Sequence, residues 1–160
     1  MKNTFLIITS IANQEHPVLK QFAKETEKRD VPFIVIGDTK SPKEFSLTGC
    51  DFYSIERQLK LKFKLVEKLP VKHYARKNLG YLIAISKGAE KIIETDDDNI
   101  PMDAFWENRI KQVKAHLLNE KGWVNTYKYF TESHIWPRGF SLENILESIP
   151  SLDEQTLVEC

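Results

Sequence analysis

The sequence predicts an α/β protein, a mostly parallel sheet with helices on both of its faces. Three observations predict it. Short segments that are apolar at consecutive positions, Phe5-Leu6-Ile7-Ile8 and Phe33-Ile34-Val35-Ile36, read as strands covered on both sides. Segments with apolar residues at helical spacing stand between such strands. A run of carboxylates, Asp96-Asp97-Asp98, directly follows a further strand, and parallel sheets bind ligands at the carboxyl ends of their strands.

Residues 4–11, β-branched and apolar, form the first strand. His16-Pro17 then opens a helix, since the missing N–H of proline costs nothing in a first turn. Val18, Leu19, Phe22 and Ala23 are its apolar stripe, and residues 24–30 its solvated end. Phe33–Ile36 is the second strand, stopped by Gly37-Asp38. Residues 39–49 are polar, carry Pro42 and Gly49, and read as a loop before a short strand over 51–54. Residues 55–69 are expected to be helical up to Pro70, with Leu59, Phe63 and Val66 on one face. Lys60, Lys62, Lys64 and Lys68 point in several directions and read as a solvated surface.

The next helix covers 73–87, with Ala75, Leu79, Leu82 and Ile83 inward and Gly88 just past its end. Gly80 inside it costs about 1 kcal/mol relative to alanine, which close packing on the aspartate-bearing strand would explain. That strand covers 91–95. A helix is expected to restart after Pro101, with Asp103 as N-cap and Trp106, Ile110, Val113 and Leu117 as its stripe. Residues 122–130 have strand composition, 136–140 form a turn, and 142–149 a short helix. Residues 1–150 thus read as one domain and 151–160 as a loose acidic tail.

Adjacent carboxylates repel, and burying one unpaired costs several kcal/mol. A divalent cation resolves the repulsion, and Mg²⁺ or Mn²⁺ takes one or two carboxylates together with phosphate oxygens. The spacing Asp96-x-Asp98 directs two side chains at one ligand and turns Asp97 away. The plainer alternative is an exposed acidic turn that ends the strand at Asn99-Ile100-Pro101. An EF-hand is excluded, because its glycine and distal glutamate are missing.

Other candidates lie near the same sheet edge. Thr9, Ser10, Ile11 and Asn13 follow the first strand and Asp38 the second, where each is either a ligand contact or plain turn chemistry. Arg76 faces a ligand or pairs with the aspartates. Asn78 contacts a ligand or bonds at the helix start. Residues two apart on a helix point about 200° from each other, so both serve one ligand only if Arg76 precedes the regular helix. Tyr74 and Tyr81 read as core or rim aromatics. Arg138 either meets a ligand or holds its turn. His16, His73, His116 and His134 lack metal-ligand spacing and read as structural or exposed. No Gly-x-Gly-x-x-Gly, Walker lysine motif or nucleophile elbow occurs.

Residues 74–99 open with Tyr74-Ala75-Arg76-Lys77-Asn78 and end with Thr95-Asp96-Asp97-Asp98-Asn99. With Trp136-Pro137-Arg138-Gly139-Phe140 and Leu142 downstream, they resemble the core of the STELLO-type glycosyltransferase family. The resemblance runs from about residue 4 to 142, with Asp51-Phe52-Tyr53-Ser54 at the place of a short family strand. It implies a GT-A-like (Rossmann-like) fold and a metal-dependent glycosyltransferase using a nucleotide-sugar donor, a uridine diphosphate sugar, with Mn²⁺ or Mg²⁺. Asp96-x-Asp98 would then be the Asp-x-Asp motif and the metal site. Asp98 would touch the metal directly. Asp96 would sit nearer the ribose or reach the metal through water, and Asp97 could replace either. Thr9, Ser10, Asn13, Asp38, Arg76, Asn78, Asp96, Asp97 and Arg138 become the donor-binding set. The acceptor is a glycan or another molecule. The chain runs only about 60 residues past the motif, so the acceptor half and its catalytic base are expected to be missing.

The 160 residues are 41% apolar and 29% charged, as in ordinary folded proteins, and are long enough for a core. Lys plus Arg and Asp plus Glu both number 23, so no net charge favours nucleic acid or an acidic membrane. No apolar run approaches the roughly 20 residues of a membrane span, and residues 5–12 lack a signal-peptide pattern. Cys50 and Cys160 read as free thiols, which points to a reducing, cytoplasmic compartment. Two other classes stay open. A nucleotidyl or phosphoryl transferase would add a lysine or a glycine-rich loop, and neither is present. A non-catalytic nucleotide-sugar-binding or interaction module is favoured by the short length.

Overall fold

The computed structural model describes residues 3–119 and 121–159. The chain divides into two compact units, Met1–Glu107 and Asn108–Cys160, where the sequence suggests one domain to residue 150. The first unit contains β1 (Thr4–Thr9), α1 (Pro17–Lys28), β2 (Phe33–Ile36), β3 (Cys50–Tyr53), α2 (Ile55–Leu59), α3 (Lys77–Ser86) and β4 (Lys91–Glu94). The four strands form one sheet in the order β3-β2-β1-β4, with every pairing parallel. This is the α/β, Rossmann-like architecture that the alternating pattern predicts.

The two faces follow from the two-residue period of a strand. Leu6, Ile8, Phe33 and Val35 point to one side, against Val18, Leu19 and Phe22 of α1. Phe5, Ile7, Ile34 and Ile36 point to the other, against Ile83 and Ala84 of α3. Fully burying a side chain of this size is worth about 1.5–3 kcal/mol, so each strand is held from both sides. Gly80 brings α3 down onto the sheet. A Cβ there would lie 2.5 Å from Ile7 Cγ2 and 3.1 Å from Ile36 Cγ1. The close partners are thus β1 and β2, not the aspartate-bearing strand.

From β1 the chain steps to β2 and β3 on one side and places β4 on the other. The strand order thus reverses between β1 and β4, and ligands of such sheets bind at the carboxyl edge beside that point.

Several expected elements differ. The helix expected over 55–69 breaks after α2, and a 3-10 helix at Val66–Lys68 follows. Leu61 and Phe63 both pack on the core beside α3, and a helix cannot turn residues two apart to one side. The helix expected after Pro101 is reduced to a 3-10 turn, Asp103–Trp106, with Met102 at the N-cap position and no side-chain cap. Trp106 packs edge-on against Phe22, and the Arg29 guanidinium lies 4.8 Å above its ring. Ile110, Val113 and Leu117 belong to the second unit and are exposed.

In that unit β5 (Gln112–Ala115) pairs antiparallel with β6 (Thr156–Glu159), with Val113 opposite Val158. The polar–apolar alternation of Gln112-Val113-Lys114-Ala115 is a strand's period, and part of the expected tail is its partner. The strand expected over 122–130 is a 3-10 helix at Thr126–Tyr129. The helix expected over 142–149 is a series of turns and bends. In the turn over 136–140, Trp136 Nε1 donates to the Phe140 carbonyl at 2.8 Å.

Among the described residues no helix is long and apolar enough to cross a membrane. Cys50 is a free, half-buried thiol whose pKa is pushed up to about 12 by burial and by the neighbouring Asp51 charge. Cys160 lies outside the described residues.

Candidate functional site

A cleft of about 360 Å³ opens over the carboxyl ends of β1 and β2, within the usual range of small-molecule sites. Thr9, Ser10 and Ile11 line it from the end of β1, and Gly37, Asp38, Thr39 and Lys40 from the segment after β2. Lys72, His73, Tyr74 and Arg76 form a wall before α3, and Asp97 reaches in from the segment after β4.

Ser10 links these pieces. Its hydroxyl donates to Asp97 Oδ2 at 2.5 Å and accepts from the Ala12 N–H at 3.0 Å. Its carbonyl accepts from Ser41 Oγ at 3.0 Å, which in turn accepts from the Asp38 N–H at 2.8 Å. One polar chain thus crosses the ends of three strands and holds Asp97 at the point where the strand order reverses.

Asp38 faces the cleft as a charged acceptor. Its Oδ1 accepts from the Thr39 N–H at 2.6 Å and its Oδ2 from the His73 N–H at 3.2 Å. Burial raises its pKa, but backbone N–H groups of Lys72, Thr39 and His73 and the nearby Arg76 charge hold it below the ordinary value. Lys72 presents its N–H from a left-handed backbone conformation, φ 55°, which non-glycine residues adopt uncommonly. His73 caps the following turn, its Nδ1 accepting from the Ala75 N–H at 3.0 Å. Its ring stacks on Tyr74 with centroids 4.7 Å apart, and Tyr74 is 79% exposed.

Arg76 neither pairs directly with the aspartates nor stands free for a ligand. It is buried, and its Nε and Nη2 donate to Gln58 Oε1 at 2.8 and 2.5 Å. Its Nη1 donates to the carbonyls of Leu69 and Pro70. Burial lowers its pKa and the Asp38 charge opposes that. Gln58, itself buried, donates to the carbonyls of Gly37 at 2.8 Å and Tyr53 at 2.7 Å. The pair ties the cleft wall to the ends of β2 and β3.

The three aspartates have different surroundings. Asp96 Oδ1 accepts from Lys77 Nζ at 2.9 Å. Asp97 is half-buried at the cleft, and Asp98 is exposed beside it. Asp97, which the spacing turns away from a ligand, is the one in the cleft lining. Among the described residues no group of three or more His, Cys, Asp or Glu side chains is gathered for a metal. What the run offers is carboxylate oxygen, the donor of Mg²⁺ and Mn²⁺, which fill their remaining positions with water and phosphate.

Of the sequence candidates, the fold brings Thr9, Ser10, Asp38, Arg76 and Asp97 to the cleft. Asn13 instead accepts from the Glu15 N–H at 2.9 Å ahead of α1. Asn78 donates to the Ala75 carbonyl at 2.9 Å, the helix-start bond. Asp96 and Asp98 stand outside the lining, and Arg138 belongs to the second unit. Lys40, Lys72 and His73 were not singled out as ligand contacts. A crossover helix runs antiparallel to its strands, so the residues before α3 must arrive at the carboxyl edge of the sheet. That direction is the signal that could have found Lys72 and His73.

No protein-family model matches the chain. It is 30% identical over 156 residues, 88% of its length, to the probable glycosyltransferase STELLO1 of Arabidopsis thaliana. It is 32% identical over 129 residues, 71% of its length, to the probable glycosyltransferase STELLO2 of the same plant. The chain spans 20% of the first relative and 17% of the second.

Proposed function

The chain is of STELLO type, homologous at 30–32% identity over most of its length to glycosyltransferases of that name, and from this premise we propose that it carries the donor-binding part of a metal-dependent glycosyltransferase. The donor is a nucleoside diphosphate sugar, with uridine diphosphate as the carrier. The observation that carries the reading is Asp97, anchored by Ser10 in a cleft at the strand-order reversal.

The lining suits such a ligand. Tyr74 offers an exposed aromatic face to a base. Asp38, held charged, accepts from ribose or base donors. Lys40 and Lys72 line the cleft, and their ammonium groups would serve the diphosphate. Asp97 and Asp98 would hold Mn²⁺ or Mg²⁺, and the bound cation supplies charge neutralisation to the leaving diphosphate. Ser10 fixes the Asp97 carboxylate so that no reorientation is needed when the ligand arrives.

Titrating uridine diphosphate into the full chain by calorimetry, with Mn²⁺ and with chelator, tests this. The expected result is binding that needs the metal and weakens at least about tenfold, or about 1.4 kcal/mol, in Asp97→Ala. Equal binding in chelator, or unchanged binding in the variant, would overturn it.

A further inference from the structure

The three consecutive carboxylates are not equivalent, and the difference is made by a lysine outside the run. Lys77 is the first residue of α3, and its side chain is only 12% exposed. Its Nζ donates to Asp96 Oδ1 at 2.9 Å and to the Thr95 carbonyl at 3.2 Å, and lies 3.9 Å from Glu94 Oε1. A cation at a helix N-terminus opposes the helix dipole, and a largely buried ammonium requires a partner. The placement of Lys77 is unfavourable for α3 taken alone and is compensated by Asp96.

We propose that Lys77 is a built-in counter-cation that takes Asp96 out of the metal-binding set, leaving Asp97 and Asp98 to hold the divalent cation. The inference rests on the donor-site reading and deepens it. Three features support it. Asp96 already has its positive charge, through one hydrogen bond from an ammonium group that the Thr95 carbonyl also holds in place. A divalent cation placed on Asp96 would sit beside that ammonium and be repelled by it. Asp97, the next residue, lines the cleft with Ser10 on one oxygen, and of the two aspartates outside the lining it is Asp96 that carries the lysine. Lys77 is therefore a positioning residue: it settles which of three adjacent carboxylates faces the metal and keeps the run from collecting a cation at the wrong end.

Mn²⁺ binding to the full chain, followed by loss of the six-line electron paramagnetic resonance signal of the free ion, tests this without any turnover. Asp96→Asn is expected to leave the dissociation constant within about threefold of the parent, and Asp97→Asn to weaken it at least about tenfold. Lys77→Met frees the Asp96 charge and is expected to tighten Mn²⁺ binding about fivefold, while Lys77→Arg keeps the parent value. If Lys77 were a structural pair alone, Lys77→Met would not tighten the ion. Asp96→Asn weakening Mn²⁺ as much as Asp97→Asn, or Lys77→Met leaving it unchanged or weaker, overturns the inference while the donor-site reading stands. A parent chain that takes up no Mn²⁺ overturns both.

Discussion

Gly80 has space for a hydrogen and little more. Alanine there would gain about 1 kcal/mol of helix propensity but push a methyl to within 2.5 Å of Ile7 Cγ2, an overpacking that costs about 1–3 kcal/mol. Packing outweighs propensity, and Gly80→Ala is expected to lower stability in urea by up to about 2 kcal/mol; a gain in stability would show that α3 can ride up off the sheet. Asp51 sets a pH dependence. Burial raises its pKa, but hydrogen bonds from Lys87 and Arg57 more than offset that and leave it below the ordinary value. Lys87 answers in kind: burial lowers its pKa, and Asp51 raises it overall. A carboxylate with a depressed folded pKa stabilises fully above its unfolded value, about 3.9, and that contribution is lost as pH falls through the folded value. Unfolding free energy measured from pH 6 downward (about two units either side of the unfolded value) is expected to fall less steeply in Asp51→Asn than in the parent. Parallel curves would remove Asp51 from the acid response.

Between elements, the Gln58–Arg76 pair decides whether the cleft has a wall. Gln58→Met keeps the bulk but leaves a buried guanidinium without its main acceptor and strips a donor from the carbonyls of Gly37 and Tyr53. Leaving a buried donor without its acceptor costs about 1–3 kcal/mol, and more when the donor is charged. Hydrogen exchange is expected to speed up first over residues 69–76, ahead of the sheet, and equal acceleration everywhere would mean that the pair serves the whole fold rather than the wall. The sequence carried the elements that are covered on both faces: Phe33–Ile36 has the bounds read from its apolar run, and α1 starts at the proline that announced it. It failed where one local pattern had two uses. Leu59, Phe63 and Val66 read as a helix face, yet burial of Leu61 with Phe63 requires extended chain. At the site, the strand-end rule brought out Ser10, Asp38 and Asp97. Arg76 also reaches the cleft, but its partner was not legible, because Gln58 is a neutral side chain 18 residues away that no charge pattern marks.

Across the molecule, burial is uneven. Among the described residues the buried apolar side chains run from Phe5 to Trp106, while the buried residue of the second unit is the polar Asn125. A chain ending at Glu107 is therefore expected to unfold cooperatively in urea, with a midpoint close to that of the full chain, and the loss of that transition would show that residues beyond 107 are needed for the sheet. The hydrogen bond between Ser10 and Asp97 joins residues 87 apart in sequence, and the β1–β4 pairing spans the same distance. Such a long loop must close before its contacts repay the lost entropy, which makes this pairing slow relative to the shorter β1–β2 and β2–β3 connections. On the ribosome β1, α1 and β2 emerge first and can collapse on one another long before residue 97 exists. The cleft is thus a late-arriving feature of the nascent chain, completed when β4 docks on β1.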